Sequence, residues 1–241
     1  NGAGKTTAAS ALLPDLHLLE FVNADTIARG LSEFNAESVA LAAGRIMLER
    51  LDHLASEGRS FAFETTLASR TFAPWLRKLK ADGYRVELVF CWLPSPDMSV
   101  ERVAHRVRSG GHFVPSETVH RRYHAGLRNF FELYRPLADV WRLYDTSRPR
   151  RLIAGFDGRL EVHDPALWNR LGAQHMDVTS DSQRLPAEEA MRRGAVVDKA
   201  MLEGARRAVE RHHKLGEDVV TWRDGKVVVV PAAELLAEFD A

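Results

Sequence analysis

The sequence predicts an α/β fold in which a parallel sheet is flanked by helices. Short apolar runs alternate along the chain with segments whose apolar residues recur every three to four positions. This alternation is typical of β-α units, because a helix must carry the chain back before the next parallel strand can begin. The composition agrees, since 45% of the 241 residues are hydrophobic and 27% are charged, as in ordinary globular proteins.

The first residues supply a further observation, the end of a phosphate-binding loop. The segment NGAGKTT (1–7) matches the tail of G-x-x-x-x-G-K-[ST], with Gly4, Lys5 and Thr6 at the diagnostic positions. An alanine-rich helix start follows, which is the context that the motif requires. We therefore expect a P-loop NTPase/kinase-like sheet whose first strand and first P-loop glycine lie before residue 1, in an N-terminally truncated gene product.

Each residue type of the loop has a chemical reason. Gly2 and Gly4 let backbone N–H groups face a polyphosphate, and Lys5 adds a positive charge at the β- and γ-phosphates. Thr6 offers a hydroxyl ligand to Mg²⁺, and Thr7 continues the phosphate-binding turn. The sequence thus predicts ATP and Mg²⁺ as cofactors.

Strands and helices are predicted in alternation over the first two thirds of the chain. Strands are predicted at 18–23, 60–65, 85–93, 140–144 and 152–154. Helices are predicted from a cap at Asn35 to a stop at Gly58, over 71–81, from Ser95 to the break at Gly110-Gly111, and from Ser116 to about Tyr134. Ser95-Pro96-Asp97 is a strong helix start, with serine at the cap and proline at the first helical position.

The pattern changes near Met176, so we expect a domain boundary between 1–175 and 176–241. A polar stretch at 177–185 is followed by one long helix over 186–215 and a hairpin over 219–230 around Asp224-Gly225. Residues 1–175 are predicted to form the P-loop kinase domain. The remainder is either a small partner protein fused in frame or an extension that covers the edge of the sheet.

Two acids follow predicted strands at the sheet edge where ligands bind. Asp25 follows the 18–23 strand and Glu64 ends the 60–65 strand. Asp25 is the candidate base for a substrate hydroxyl, and the alternative is that it only caps the turn into Thr26. Glu64, with Thr65, is a candidate for substrate binding or for the Mg²⁺ shell.

Arginines lie on both sides of the flexible Gly110-Gly111-His112 joint. Arginines that close over a transferring phosphoryl group would stabilise its charge and exclude water. Arg106, Arg108, Arg121 and Arg122 are all candidates for this role, and the alternative is a solvated helix face for most of them.

Charge and composition exclude several classes. Lys+Arg and Asp+Glu each number 33, which disfavours nucleic-acid binding and a polynucleotide kinase in particular. No apolar stretch is long enough for a membrane span, and the single Cys91 lies in an apolar run, so we expect a cytoplasmic protein without membrane contact. The ten histidines show no clear metal-ligand spacing and are expected to be structural or superficial.

Taken together, these segments resemble the zeta toxin family of bacterial kinases, in its zeta-like branch. The matching segments are NGAGKTT (1–7), FVNADTIARGLS (21–32), FAFETTL (61–67), VFCWLPSP (89–96), RVRSGGHFVP (106–115) and RRYHAGLRNFFELYRPLAD (121–139). The resemblance implies a toxin of a toxin–antitoxin system that phosphorylates a sugar hydroxyl of UDP-N-acetylglucosamine. An antitoxin protein is the implied partner.

The resemblance also implies residue roles. Lys5 and Thr6 would hold ATP and Mg²⁺, and Asp25 would be the catalytic base. The substrate residues would be Asn23, Glu64 and Thr65, and the lid arginines would be Arg108 and Arg121. The Gly-Gly-His joint departs from the lid of the toxin itself.

The predicted function is an ATP-dependent small-molecule kinase that transfers the γ-phosphate to a hydroxyl, with a nucleotide sugar as the expected substrate. The alternative is an ATP-binding switch or interaction module with little turnover, whose tail contacts a partner. Asp25 beside Asn23 separates the two hypotheses, because a switch needs no base for a substrate hydroxyl.

Overall fold

The computed structural model of the chain describes residues 2–32, 38–108, 111, 113–147, 151–172, 187–223 and 226–239. Helices and strands alternate along most of these residues, so the predicted α/β class is confirmed. No helix within the described ranges combines the length and the apolar character needed to cross a bilayer.

The first part of the chain forms a parallel pair of short strands with helices around it. Its elements are α1 (Lys5–Asp15), β1 (Phe21–Val22), α2 (Ala24–Leu31), α3 (Ala40–Ser56) and β2 (Ala62–Phe63). The register of the parallel pair places Val22 beside Phe63. Both strands are shorter than predicted, because only two residues of β1 form pairs with residues of β2. Gly58, at a φ of 65°, ends the turn after α3 as expected, whereas the cap predicted at Asn35 lies outside the described residues.

The second part contributes the longest parallel pair. Its elements are α4 (Phe72–Ala81), β3 (Glu87–Trp92), α5 (Pro96–Arg108), α6 (Ser116–Asn129), a π-helical turn (Phe130–Tyr134) and β4 (Val140–Asp145). β3 and β4 run parallel in continuous register from the Glu87–Val140 pair to the Trp92–Asp145 pair. The Ser95 hydroxyl accepts a hydrogen bond from the backbone N–H of Met98 at 3.2 Å, which confirms the predicted serine start of α5.

Beyond β4 the predicted parallel sheet continues into an antiparallel edge, which the sequence did not indicate. The elements here are β5 (Arg151–Asp157), β6 (Leu160–Val162) and α7 (Pro165–Gly172). β5 is antiparallel to β4, and β6 is antiparallel to β5. Only residues 146–150 join β4 to β5, which is too short for the crossover of about a dozen residues that a parallel strand needs.

The C-terminal part contains the predicted long helix and hairpin. Its elements are α8 (Ala187–Lys214), β7 (Asp218–Arg223), β8 (Lys226–Pro231) and a further helix, α9 (Ala232–Phe239), that the sequence analysis does not include. β7 and β8 are antiparallel. The predicted polar linker at 177–185 and the turn at Asp224-Gly225 lie outside the described residues.

The largest core lies between the four-stranded sheet and the helices α6 and α7. Its buried aromatic residues include Phe130, Phe131, Trp141 and Trp168, and the last two stack with ring centroids 5.6 Å apart. The guanidinium of Arg135 lies 5.8 Å from the Trp141 ring centroid and covers the rim of this cluster. This core holds β3 and β4 in place beside the helices that follow them.

Helix α8 packs against the helix that follows the P-loop. Ala200 and Met201 of α8 are buried in one cluster with Ala8 and Leu12 of α1. The two helices approach closely, because a Cβ on Gly204 would lie 2.9 Å from the Cβ of Ala11. The C-terminal part is therefore packed directly onto the first helix of the kinase-like part.

A cavity of about 860 Å³ separates the two parallel strand pairs. It is lined by β2 and its flanking residues on one side, by β3 on the other, and by Ala8 and Leu12 of α1. Ala3 of the P-loop segment also lines this cavity, and we propose it as the place for the strand that is predicted before the P-loop.

Candidate phosphate-binding active site

The P-loop residues form a backbone cradle at the start of α1. Gly2 and Gly4 have φ angles of 71° and 74°, in the left-handed region that glycine adopts without strain. Gly4 is the N-cap residue of α1 and supplies no side chain to cap it, so N–H groups of the first turn are available to an anion. Gly2 also lies tightly against α5, since a Cβ there would be 2.8 Å from the carbonyl oxygen of Ser99.

Three predicted site residues converge on the carboxylate of Glu64. The Thr6 hydroxyl donates a hydrogen bond to Oε2 at 2.5 Å, and Asn23 Nδ2 donates to the same oxygen at 3.0 Å. Lys5 Nζ lies 3.4 Å from Oε1. The Lys5 and Glu64 side chains are only 22% and 13% exposed, so this ion pair is shielded from bulk water.

This donor set suits a nucleotide with its magnesium ion. The Lys5 ammonium and the N–H groups at the start of α1 complement phosphate oxygens. The Thr6 hydroxyl and the Glu64 carboxylate are the hard oxygen ligands that Mg²⁺ prefers. The Glu64 carboxylate contacts the same lysine and hydroxyl that a phosphate–Mg²⁺ group would engage.

Asn23 connects Glu64 to the candidate base. Its side chain is buried, and Oδ1 accepts hydrogen bonds from the backbone N–H groups of Asp25 at 2.8 Å and Thr26 at 3.4 Å. Asn23 is therefore the cap of α2, and the alternative in which Asp25 caps this turn is wrong. Asp25 lies in the first turn of α2 with its side chain exposed. Asn23 links this turn to Glu64, because it bonds both the Asp25 N–H and the Glu64 carboxylate.

The loop after β2 is held in a defined conformation. The Thr65 hydroxyl accepts a hydrogen bond from the N–H of Leu67 at 3.2 Å, and Leu67 has a φ of 55°, uncommon for a non-glycine residue. Asn129 Nδ2 donates to the carbonyl of Leu67 at 2.8 Å and so fixes the loop to α6. Thr65 lines the same cavity as Lys5 and Glu64. Such strain is found at functional sites when the surroundings enforce it.

The predicted lid arginines lie on the two helices that flank the Gly-Gly-His joint. Arg108 is at the end of α5 and Arg121 is on α6, and both are exposed. Among the described residues, neither guanidinium forms a hydrogen bond or ion pair with the Lys5–Glu64 group. Gly110 and His112 of the joint lie outside the described residues.

Arg122 is one of the four basic-segment candidates, but not one of the two arginines that the resemblance implies. It is half-buried and lines the cavity together with Lys5 and Glu64. The helical period could have singled it out, because Arg122 lies three residues after the buried Val119 and four before the buried Gly126. Its neighbour Arg121 is exposed.

Arg102 has a structural role on α5. Nη2 donates to the carbonyl of Thr146 at 2.9 Å, and Nε donates to the carbonyl of Val220 at 3.2 Å. Burial lowers the pKa of this guanidinium to about 10, and the nearby Asp145 carboxylate opposes the shift. The residue thus joins α5 to the loop after β4 and to the C-terminal hairpin.

The match to a protein family agrees with this geometry. Residues 1–133, more than half of the chain, match the family model described as an AAA domain. The chain therefore belongs to this AAA domain family. The P-loop and the α/β architecture accordingly define a kinase-like, nucleotide-binding P-loop domain.

Two individual proteins are similar to the chain. An uncharacterized protein of Haemophilus influenzae is 26% identical over 123 residues, which are 51% of this chain and 86% of that protein. A solved structure from the PezAT chromosomal toxin–antitoxin system of Streptococcus pneumoniae matches 85% of this chain and 83% of its own, with a TM-score of 0.52 and 16% identity. The predicted likeness to zeta-toxin-like P-loop kinases is thus confirmed at the level of the fold.

Proposed function

We propose that the protein is an ATP-dependent kinase that transfers the γ-phosphate to a hydroxyl group of a small molecule. The observation that carries this proposal is the convergence of Lys5, Thr6 and Asn23 on Glu64, next to Asp25. A phosphate cradle alone would suit any nucleotide-binding protein. The adjacent acid is what a phosphotransferase needs in addition.

The P-loop residues have nucleotide roles in this proposal. Gly2, Gly4 and Thr7 contribute the phosphate-binding turn, and Lys5 neutralises the β- and γ-phosphate oxygens. Thr6 is the hydroxyl ligand of Mg²⁺, and the ion supplies charge neutralisation to the phosphates when bound. When the nucleotide binds, Glu64 would give up its contacts with Lys5 and Thr6 and would lie beside the metal or the substrate instead.

Asp25 is the proposed catalytic base. An acceptor hydroxyl attacks the γ-phosphorus, a new oxygen–phosphorus bond forms, and the bond to the β-phosphate oxygen breaks to release ADP. The hydroxyl proton passes to the Asp25 carboxylate. Asn23 and Thr65 border the acceptor side, where Asn23 keeps the first turn of α2 in place.

Arg108 and Arg121 are the proposed lid arginines. Both are exposed on the two helices that flank the 109–115 connection, so they are accessible to a transferring phosphoryl group. Arg122, already directed into the cavity, is a third candidate. A guanidinium that reaches the transferring group stabilises the charge on its oxygens.

For the acceptor we propose a nucleotide sugar, UDP-N-acetylglucosamine, and for the biological role a toxin that an antitoxin protein restrains. Support comes from the segments shared with the zeta toxin family and from the fold shared with the PezAT toxin–antitoxin structure. The cytoplasm, where ATP and nucleotide sugars are made, is the proposed compartment.

Labelled phosphate transfer tests the proposal. The 241-residue chain, and the same chain preceded by an apolar strand and a P-loop glycine, are incubated with γ-labelled ATP, Mg²⁺ and a panel of nucleotide sugars. We expect label in UDP-N-acetylglucosamine with the extended chain and a loss of about 1,000-fold in kcat with Asp25→Ala, because the base is gone. Asp82→Asn removes another exposed carboxylate, in the turn after α4, and serves as the matched control.

Each outcome separates the candidate functions. Transfer that Asp25→Ala leaves unchanged would exclude the assigned base. Label in a different panel member would keep the kinase and replace the substrate. ATP binding without transfer to any acceptor would favour the switch, in which the packing of α8 on α1 couples nucleotide binding to the C-terminal part.

We also propose that residues 1–175 form the kinase domain and that 176–241 form an extension. The supporting observation is that β7 and β8 form a two-stranded sheet of their own and, with α9 and Val209 of α8, a small hydrophobic cluster. Whether the extension began as a fused partner or as a cover for the sheet edge can be tested by producing 1–175 and 176–241 separately. Reassociation of the two soluble pieces would support the fused partner, and failure of both to fold alone would contradict it.

A further inference from the structure

A cluster of two histidines and one glutamate lies between α5 and the C-terminal part. His105 is on α5, His212 is in the last turn of α8, and Glu217 directly precedes β7. We propose that these three residues bind a divalent transition-metal ion of the Zn²⁺ class. This site is independent of the proposed kinase reaction and lies outside the P-loop.

The geometry brings one potential ligand atom of each residue to within 4.8 Å of the others. The rings of His105 and His212 meet edge to face with centroids 5.4 Å apart, and His212 Nδ1 lies 2.8 Å from Glu217 Oε2. All three residues are half-buried, which limits the freedom of their side chains. Small rotations about the side-chain bonds suffice to bring such atoms to the 2.0–2.2 Å distances of roughly tetrahedral zinc sites.

The chemistry of the three ligands selects the class of ion. Two imidazoles and a carboxylate suit Zn²⁺, Co²⁺ and Ni²⁺, whereas Mg²⁺ and Ca²⁺ prefer oxygen ligands alone. The Glu217 and Asp218 carboxylates lie close enough to act on His105 and supply the negative charge that a bound dication needs.

The three residues come from two parts of the chain, so a bound ion would join those parts. His105 precedes Arg106 and Arg108 at the end of α5, and this end leads into the predicted lid. His212 and Glu217 belong to the proposed C-terminal extension. The ion would therefore fasten the extension to the helix that carries the lid.

Cobalt titration of the untagged full chain tests the site. The protein is stripped with a chelator, and Co²⁺ is added while visible d–d absorption is recorded. We expect one equivalent to bind with tetrahedral-type absorption, and one equivalent of Zn²⁺ to displace it. His105→Ala is expected to weaken the affinity by at least tenfold, because it removes one of three protein ligands.

The matched control is His213→Ala, which removes an exposed histidine next to His212 that is outside the cluster. We expect this variant to bind Co²⁺ as the parent does. A thermal shift with Zn²⁺ that His105→Ala abolishes and His213→Ala keeps would show that the ion stabilises the folded chain. Absence of the d–d bands, or equal binding by the parent and His105→Ala, would overturn the proposal.

Discussion

At the scale of single residues, Asn23 has two separable roles. Its Oδ1 caps α2 through the N–H groups of Asp25 and Thr26, and its Nδ2 holds the Glu64 carboxylate. The amide is well suited to both, because it carries an acceptor and a donor on one short side chain. A carboxylate at this position would cap the helix but repel Glu64.

The two roles of Asn23 can be separated by two substitutions. Asn23→Ala should lose about 1 kcal/mol of stability, since the helix loses its cap. Asn23→Ser keeps a capping oxygen but lacks the amide donor that binds Glu64, so it should retain most of that stability. Urea unfolding of both variants measures the difference.

Nucleotide binding supplies the second measurement for this pair. Both variants lose the hydrogen bond from the Asn23 amide to the Glu64 carboxylate. Both should therefore change the Kd for ATP–Mg²⁺ by a similar factor. If Asn23→Ser is as unstable as Asn23→Ala, the missing cap of α2 does not account for the loss of stability in Asn23→Ala. If only one variant alters the Kd, Asn23 does not position Glu64.

At the scale of elements, α6 supports the loop that carries Thr65 and Thr66. The approach is very close, since a Cβ on Gly126 would lie 2.5 Å from the backbone carbonyl oxygen of Thr66. Asn129, one turn further along α6, fixes the same loop through the carbonyls of Leu67 and Ala68. The absence of a side chain at Gly126 is therefore required for the loop to lie where Glu64 can meet Lys5.

Gly126→Ala should destabilise the protein by about 1–3 kcal/mol, because the added methyl group forces helix and loop apart. The matched control is Gly44→Ala in α3, where a Cβ would meet no atom within 4 Å. That change should stabilise the protein by up to about 1 kcal/mol, as alanine is the better helix former. Urea unfolding measures both, and a gain of stability in both variants would contradict the close contact.

At the scale of the whole molecule, a cavity lies between the two strand pairs. Its volume of about 860 Å³ lies between the edges of β2 and β3 and under α1. Exposed strand edges and apolar walls favour the entry of a further strand, which would satisfy backbone groups on both sides. Such a strand would join the β1–β2 pair and the β3–β6 sheet into one continuous sheet.

An engineered extension can test whether the cavity accepts a strand. We expect a seven-residue apolar strand followed by Gly-Ser, placed directly before Asn1, to raise Tm by roughly 10 °C, since burial of several apolar side chains contributes several kcal/mol. A Gly/Ser-rich extension of equal length is the control. Equal Tm values for the two extended chains would show that the cavity is not a strand site.

Part of this organisation could be predicted from local sequence. The start of α5 follows from Ser95-Pro96, and the long α8 follows from its helical period, so both were confirmed. The antiparallel direction of β5 could not be predicted, because periodicity indicates a strand but does not identify its partner. The helices α7 and α9 were missed, since each is only eight residues long and offers few turns of periodic signal.

The candidate site also divides into features that local sequence predicts and features that only the structure reveals. The glycines, Lys5 and Thr6 could be recognised from sequence alone, because the chemistry of a phosphate cradle depends on a few consecutive residues. The meeting of Thr6 with Glu64 spans 58 positions, and that of His105 with His212 spans more than a hundred. No local pattern encodes such distances, so the histidine cluster and the position of Arg122 at the cavity emerged only from the packed structure.

The sequence by itself thus determined the α/β class, the P-loop and the acids Asp25 and Glu64 as candidates. Only the tertiary structure decided that Asn23 links those acids, that Arg122 faces the cavity, and that α8 covers α1. The physical reason is that secondary structure and loop chemistry depend on neighbours along the chain. Charge pairing, burial and cavity shape depend instead on which distant segments the core brings together.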